Sequence, residues 1–334
     1  MQTPSKAFVR PVMAAVLLCG ATLFGASAWS APVERAELFK QPHTRYAGGV
    51  IGLPDIEYSS VVGYRPLNLD LYLPVARHKK YPAVVYIHGG GWRTGSSTGT
   101  AIDTLPGTWP EALAEVASRG YVVAAINYRL AGEARFPAQL HDAKAAVRWL
   151  RANAQTYGID PDRIVAWGGS AGGHLAALLG TTGGVDALEG SGGNPEYSSR
   201  VQAVVNYYGL TDLLSLDSEP IPGGLVHDSP EAAETGLLGC QLSECPDKAA
   251  AASAVTYVSG DDAAFLNVHG THDLAVSPQQ ARAIHTALQT AGVYSELMYV
   301  DGANHIFKGT SPAQAADILR TTIEFIDRQV GNRR

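Results

Sequence analysis

Apolar positions along the chain fall into short unbroken runs separated by stretches of helical period. Residues 83–87, 121–126, 163–167, 201–207 and 264–269 are nearly continuous apolar runs. Their length and texture are those of strands buried on both faces. Residues 67–73 alternate instead, with Leu67, Leu69, Leu71 and Leu73 set against Asn68, Asp70 and Tyr72, and Pro74 closes the run. That pattern predicts a half-buried strand. Residues 138–153 carry Leu140, Ala143, Ala146, Val147 and Leu150 at helical spacing, an amphipathic helix. Further helices are predicted at 111–119, 278–291 and 313–329, with a last strand at 296–300. Residues 31–53 show no helical period and are broken by Pro42, Gly48, Gly49 and Gly52, so they read as a tail or extended arm. Strands alternating with helices predict an α/β fold, a mostly parallel central sheet with helices on both faces.

The strand at 163–167 runs into Gly168-Gly169-Ser170-Ala171-Gly172-Gly173-His174 and then into the small and apolar residues Leu175 to Leu179. This is a strand, a tight turn and a helix, with a serine at the tip. A serine on such an elbow needs neighbours two residues either side without side chains, and Gly168 and Gly172 supply them. The helix start directs N–H groups and its positive dipole end toward the hydroxyl, favouring developing negative charge. The spacing G-x-S-x-G recurs around Ser97, but no strand enters that turn and no apolar helix follows. Context selects Ser170.

In open parallel sheets reactive groups gather at the C-terminal strand ends. His88, Ser170, Asp273 and His305 all follow such strands. A serine hydroxyl needs a base, and His305, in the turn after the last strand, is the best placed. The imidazole needs a carboxylate to fix its tautomer, and Asp273 after the 264–269 strand fills that role, with Asp212 as the alternative. His269, His272 and Asp273 could also be read as metal ligands, but the base already required nearby makes that the weaker reading. Oxyanion donors are expected from the N–H groups of Gly90, Gly91 and Ala171. His88 is expected to brace the glycine loop. The chemistry calls for no cofactor and no metal.

Composition narrows the class. Across 334 residues the apolar share is 46% and the charged share 17%, with a net charge of −6. This is an ordered chain with no electrostatic footprint for nucleic acid. Lys6 and Arg10 precede an apolar run from Val12 to about Ala28, followed by small residues. That is the pattern of a signal peptide over residues 1–30, cleaved after Ala28 or Ser30, and it predicts export to the periplasm or beyond, with no stable membrane insertion afterwards. Cys19 leaves with it. Cys240 and Cys245 then remain as a pair in an oxidising compartment, which predicts a disulfide. The expected organisation is an arm at 31–55 and one domain at 56–334, with insertions at 181–199 and 209–262. Both insertions are rich in glycine and proline, and both are expected to overhang the site and set substrate choice.

Several stretches recur in a known order: Leu69-Asp70-Leu71-Tyr72-Leu73-Pro74, His88-Gly89-Gly90-Gly91-Trp92, Asn127-Tyr128-Arg129-Leu130, Phe136-Pro137-Ala138-Gln139, Tyr157-Gly158-Ile159-Asp160-Pro161-Asp162-Arg163-Ile164 and the Ser170 elbow. Together they resemble the α/β-hydrolase superfamily, in particular the bacterial feruloyl-esterase-like (BD-FAE-type) carboxylesterases, related to acetylxylan esterases and the hormone-sensitive-lipase group. The resemblance implies Ser170, Asp273 and His305 as the triad, in the superfamily's chain order. It implies an ester hydrolase acting on acetyl, feruloyl or short-chain esters, small or polysaccharide-linked. One departure is Val276-Ser277-Pro278-Gln279-Gln280-Ala281, where relatives carry V-P-x-x-Q-S; another is the arm, which lacks amphipathic cap helices. A serine peptidase or amidase of the prolyl-oligopeptidase type shares the triad order, but the chain has no propeller-sized segment. A non-catalytic binding module could keep the shape, yet the triad and oxyanion glycines are all present.

Overall fold

The computed structural model describes residues 40, 42–75, 80–218 and 221–331. The predicted signal peptide lies outside them. Among these residues nine strands form one sheet: β1 (Thr44–Arg45), β2 (Ile51–Ser59), β3 (Leu67–Leu73), β4 (Tyr81–Ile87), β5 (Val122–Ile126), β6 (Ile159–Gly169), β7 (Ala203–Tyr207), β8 (Ala264–Gly270) and β9 (Ser295–Val300). Their spatial order is β1-β2-β3-β5-β4-β6-β7-β8-β9. The first three run antiparallel to their neighbours, and all pairings from β5 through β9 are parallel.

Helices α1 (Trp109–Ser118), α2 (Ala138–Ala152), α3 (Ala154–Tyr157), α4 (Ala171–Thr181), α5 (Ala233–Leu238), α6 (Pro246–Ala251), α7 (Gln279–Thr290) and α8 (Pro312–Val330) connect or follow the strands. The sheet has two buried faces. Ala83, Val85 and Ile87 of β4 join a cluster with Leu140, Leu175 and Ile284 of α2, α4 and α7. Val84 and Tyr86 point the other way, toward Leu113 of α1 and Ile318 of α8. Every residue of β4 is buried, which is why its sequence is a continuous apolar run. Helices α1 and α8 each open with a capping box followed by proline, Thr108 with Glu111 and Ser311 with Gln314.

Three sequence expectations change. Strand β2 begins at Ile51, inside the segment read as an arm, and pairs with β3 through Ile51↔Leu73 and Leu53↔Leu71. Its bulges between Leu53 and Ile56 break the alternation that would have marked it. Strand β6 starts at Ile159, four residues before the predicted 163–167 run, and carries Pro161 within it. Residues 181–199 do not overhang the site. They wrap the far flank of α2, where buried Lys144 binds the Thr182 carbonyl at 2.8 Å and the Glu189 carboxylate at 2.7 Å. Arg148 donates to the Glu189 and Gly193 carbonyls at 3.0 Å each. Two buried cations needed acceptors, and this segment supplies them.

Candidate active site

Ser170 joins β6 to α4 at φ 55° and ψ −122°. Side-chain-bearing residues avoid this region, and such conformations persist where surrounding structure enforces them. Here the enforcement is backbone packing. A Cβ on Gly168 would overlap the Gly172 carbonyl, and one on Gly172 would overlap the Ile87 carbonyl at the end of β4. The Ser170 N–H donates to the Tyr207 carbonyl at 2.9 Å, tying the elbow to β7.

The structure brings the three predicted residues into one hydrogen-bonded chain. His305 Nε2 lies 2.9 Å from Ser170 Oγ, and its Nδ1 lies 2.8 Å from Asp273 Oδ2. Asp273 is buried, and its Oδ1 accepts the N–H groups of Ala275 and Val276 at 2.8 and 2.9 Å. Burial opposes the charge of this carboxyl. Hydrogen bonds from His269 and His305 overcome it and hold the group well below the usual carboxylate range. With a carboxylate accepting at Nδ1, the neutral ring keeps its proton there and leaves Nε2 free to accept from the serine.

The glycine loop after β4 sits beside Ser170. Gly90 has φ 112°, and a Cβ there would overlap the Thr94 carbonyl. Its own carbonyl takes the N–H groups of Arg93 and Thr94, both at 3.1 Å, which closes the loop. Among the described residues, no acceptor takes the N–H of Gly90, Gly91 or Ala171. Two buried histidines hold this loop. His88 stacks on Tyr128 at 4.4 Å between centroids, and its Nδ1 reaches the Gly89 carbonyl at 2.7 Å. His174 Nδ1 accepts from the Trp92 indole at 3.3 Å while its Nε2 meets the Ala252 carbonyl at 2.7 Å. Burial lowers the pKa of each to about 4, which keeps both rings neutral.

The other candidates are placed elsewhere. Asp212 caps the turn after it, accepting from Leu214 N at 3.1 Å, and is not paired with His305. Ser97 donates to the Asp70 carboxylate at 2.7 Å, and among the described residues it makes no hydrogen bond to a histidine. His272 pairs with Thr271 on the surface, while buried His269 donates from Nε2 to the Val276 carbonyl at 2.9 Å and faces Asp273 Oδ2 at 3.3 Å. The structure joins Cys240 to Cys245, with an S–S distance of 2.06 Å.

Sequence reasoning missed three contributors. Tyr208, at φ 39°, sets its ring 4.8 Å from that of His305 and donates to the Ala101 carbonyl. Asn304 Oδ1 accepts from Leu274 N at 2.9 Å and His305 N at 2.6 Å, locking the acid turn to the histidine turn. The third is a buried His227–Glu234 pair in the cavity wall. Only Asn304, directly before His305, carried a local signal, as a cap residue. The cavity itself has a volume of about 680 Å³ and is walled by Ser170, His305, the glycine loop and residues 225–234. The 209–262 insertion therefore does overhang the site. Its middle forms α5 and α6 rather than open loop.

The chain is similar to proteins described as esterases. The BD-FAE family profile matches residues 69–288. "Esterase LipQ" of Mycobacterium tuberculosis is 30% identical over 302 residues, 87% of this chain and 65% of that protein. "Probable carboxylic ester hydrolase LipM" of the same organism is 31% identical, over 73% of this chain and 54% of its own length. The chain thus spans less than two thirds of these curated relatives. Among solved structures, a truncated carbohydrate esterase from gut microbiota superposes with a TM-score of 0.72 at 30% identity, covering 84% of this chain and 96% of that one. Esterase Est2 of Thermogutta terrifontis superposes at 0.65 with 26% identity, over 82% of this chain and 91% of its own. With its sheet order, serine elbow and matched profile, the chain belongs to the BD-FAE family of the α/β-hydrolase fold.

Proposed function

We propose that the protein is an exported serine carboxylic ester hydrolase. The observation that carries this is the Ser170–His305–Asp273 hydrogen-bond chain, opening into a cavity beside three unpaired backbone donors. His305 takes the serine proton as Oγ attacks the ester carbonyl. The N–H groups of Gly90, Gly91 and Ala171 hold the oxyanion. His305 then protonates the leaving alcohol, and water repeats the sequence on the acyl-enzyme. Asp273 stays ionised and stabilises the imidazolium that forms in each half-reaction.

The mainly apolar wall, with Trp92, Tyr208, Leu210, Leu225 and Val226, supports an acetyl, short aliphatic or feruloyl acyl group. The esterase names of the relatives support the same class. The residue 1–30 pattern and the Cys240–Cys245 bond support export. The test is hydrolysis of acetyl, butyryl and feruloyl esters by the chain from Ala31 onward, with Ser170→Ala alongside. Serine-dependent turnover of at least one is the expected result. Equal turnover by both proteins, or none by either, would reject the reading.

A further inference from the structure

Glu234, in the first turn of α5, is 3% exposed, yet it lines the same cavity as Ser170. One carboxylate oxygen, Oε1, takes His227 Nδ1 at 3.0 Å. The other, Oε2, has no hydrogen-bond partner among the described residues, and it is not sealed from solvent. An oxygen that opens on the cavity and takes no donor from the chain is left to accept one from a bound substrate.

The position of Glu234 is built, not incidental. Both oxygens of Asp217 accept the His227 N–H, at 3.1 and 3.0 Å, and Oδ2 also takes the Asp228 N–H at 2.7 Å. Arg93, next to the glycine loop, donates to the Glu231 carbonyl at 2.8 Å and to that of Ala232. Arg135 donates to the Thr235 and Gly236 carbonyls of α5. Gly91 lies so close to α5 that a Cβ there would come within 3.3 Å of the Ala233 side chain. The helix is thereby held directly over the oxyanion loop.

His227 sets what kind of donor fits. Its ring faces the Glu234 carboxylate on one side and the Ala275 carbonyl on the other. The carboxylate accepts at Nδ1. Burial opposes a charge on the ring, but Glu234, Asp217 and the Ala275 backbone raise its pKa above the ordinary value. With one carboxylate oxygen taken by the ring, the other is left as an acceptor suited to a neutral hydroxyl.

Resting on the reading of the site as an esterase, we propose that Glu234, oriented by His227, is a specificity residue that accepts a hydrogen bond from a hydroxyl group on the ester substrate. The preferred substrates are then hydroxylated esters, such as those of sugars or phenolic acids, rather than wholly apolar ones of the same size. A site built to receive a hydroxyl discriminates against the analogue that lacks it, because its own polar group is left unpaired.

The test measures kcat/KM on two matched ester pairs: methyl para-coumarate with its O-methyl ether, and a methyl monoacetyl-xyloside with its O-methylated analogue. The wild-type chain is expected to favour the hydroxylated member of at least one pair by about tenfold or more. That ratio should fall partway in Glu234→Gln, which keeps the shape without the charge, and toward one in Glu234→Ala. Each ratio is internal to one protein, so a change in folded fraction cancels. A purely structural role would slow both members of a pair equally, and a ratio that persisted in both variants would overturn the proposal. So would the absence of any preference in a wild-type enzyme that turns over these esters. If the wild-type chain hydrolysed no ester at all, the esterase reading itself would fall, and the two failures are thus distinguishable.

Discussion

Ser170 is held at a backbone conformation that costs free energy, and the hydroxyl it presents is the reason such an elbow is worth keeping. Ser170→Ala is expected to lower ester turnover by several orders of magnitude and to leave the melting temperature within about 2 °C, because alanine keeps the Cβ and loses only Oγ. Retained turnover, or a collapse of the fold, would contradict this. Asp273 makes a sharper test. Asp273→Asn keeps the shape but offers the imidazole a donor in place of an acceptor, stabilising the wrong tautomer, and kcat should fall by about four orders of magnitude. Because the Asp273 carboxyl is held well below its usual range, activity should show no titrating step at ordinary carboxylate pH. Such a step would show that Asp273 is not so held. The hydrogen-bonded chain of Ser170, Asp273 and His305 was legible in sequence because Ser170 and Asp273 follow apolar buried strands and His305 follows the last predicted strand. Glu234 and His227 were not, because they meet through a glycine- and proline-rich segment with no periodicity to place them.

At the level of elements, the strand-to-helix elbow depends on β4, β6 and α4 approaching more closely than side chains permit. Gly172→Ala places a Cβ against the Ile87 carbonyl, where only backbone could yield. It should destabilise the fold by on the order of 3 kcal/mol or more and abolish activity. Denaturant midpoints for this variant and wild type measure it, and an unchanged midpoint would mean the elbow is looser than described. The buried parallel strands were legible as apolar runs. Strand β2 was not, because its bulges break the period and its glycine and proline mimic a loop. Residues 181–199 were misplaced for a related reason. Composition marked them as connecting chain, but nothing in it revealed that Lys144 and Arg148, on a helix predicted as amphipathic, would need their carbonyls.

Across the whole molecule, buried histidines make stability depend on pH. His88 and His174 have pKa values of about 4 against an ordinary 6.5. Between these values the unfolded chain binds protons that the folded chain refuses, so their contribution is present above pH 6.5 and lost as pH falls toward 4. Each is worth up to about 3 kcal/mol over that window. His227 has the opposite sign, since its raised pKa gives stability at low pH that is lost as pH rises. His141 and His285 are also lowered by burial, so four histidines act against one. The melting temperature should fall between pH 6.5 and pH 4, and a flat profile there would contradict the burial of His88 and His174. The central claim, that one serine among many is a nucleophile, is tested most directly by covalent labelling of the intact protein. A fluorophosphonate probe followed by peptide mass mapping should add one label, on Ser170, and none to Ser170→Ala. No label on the wild-type chain, or a label on any other residue that survives Ser170→Ala, would contradict the account.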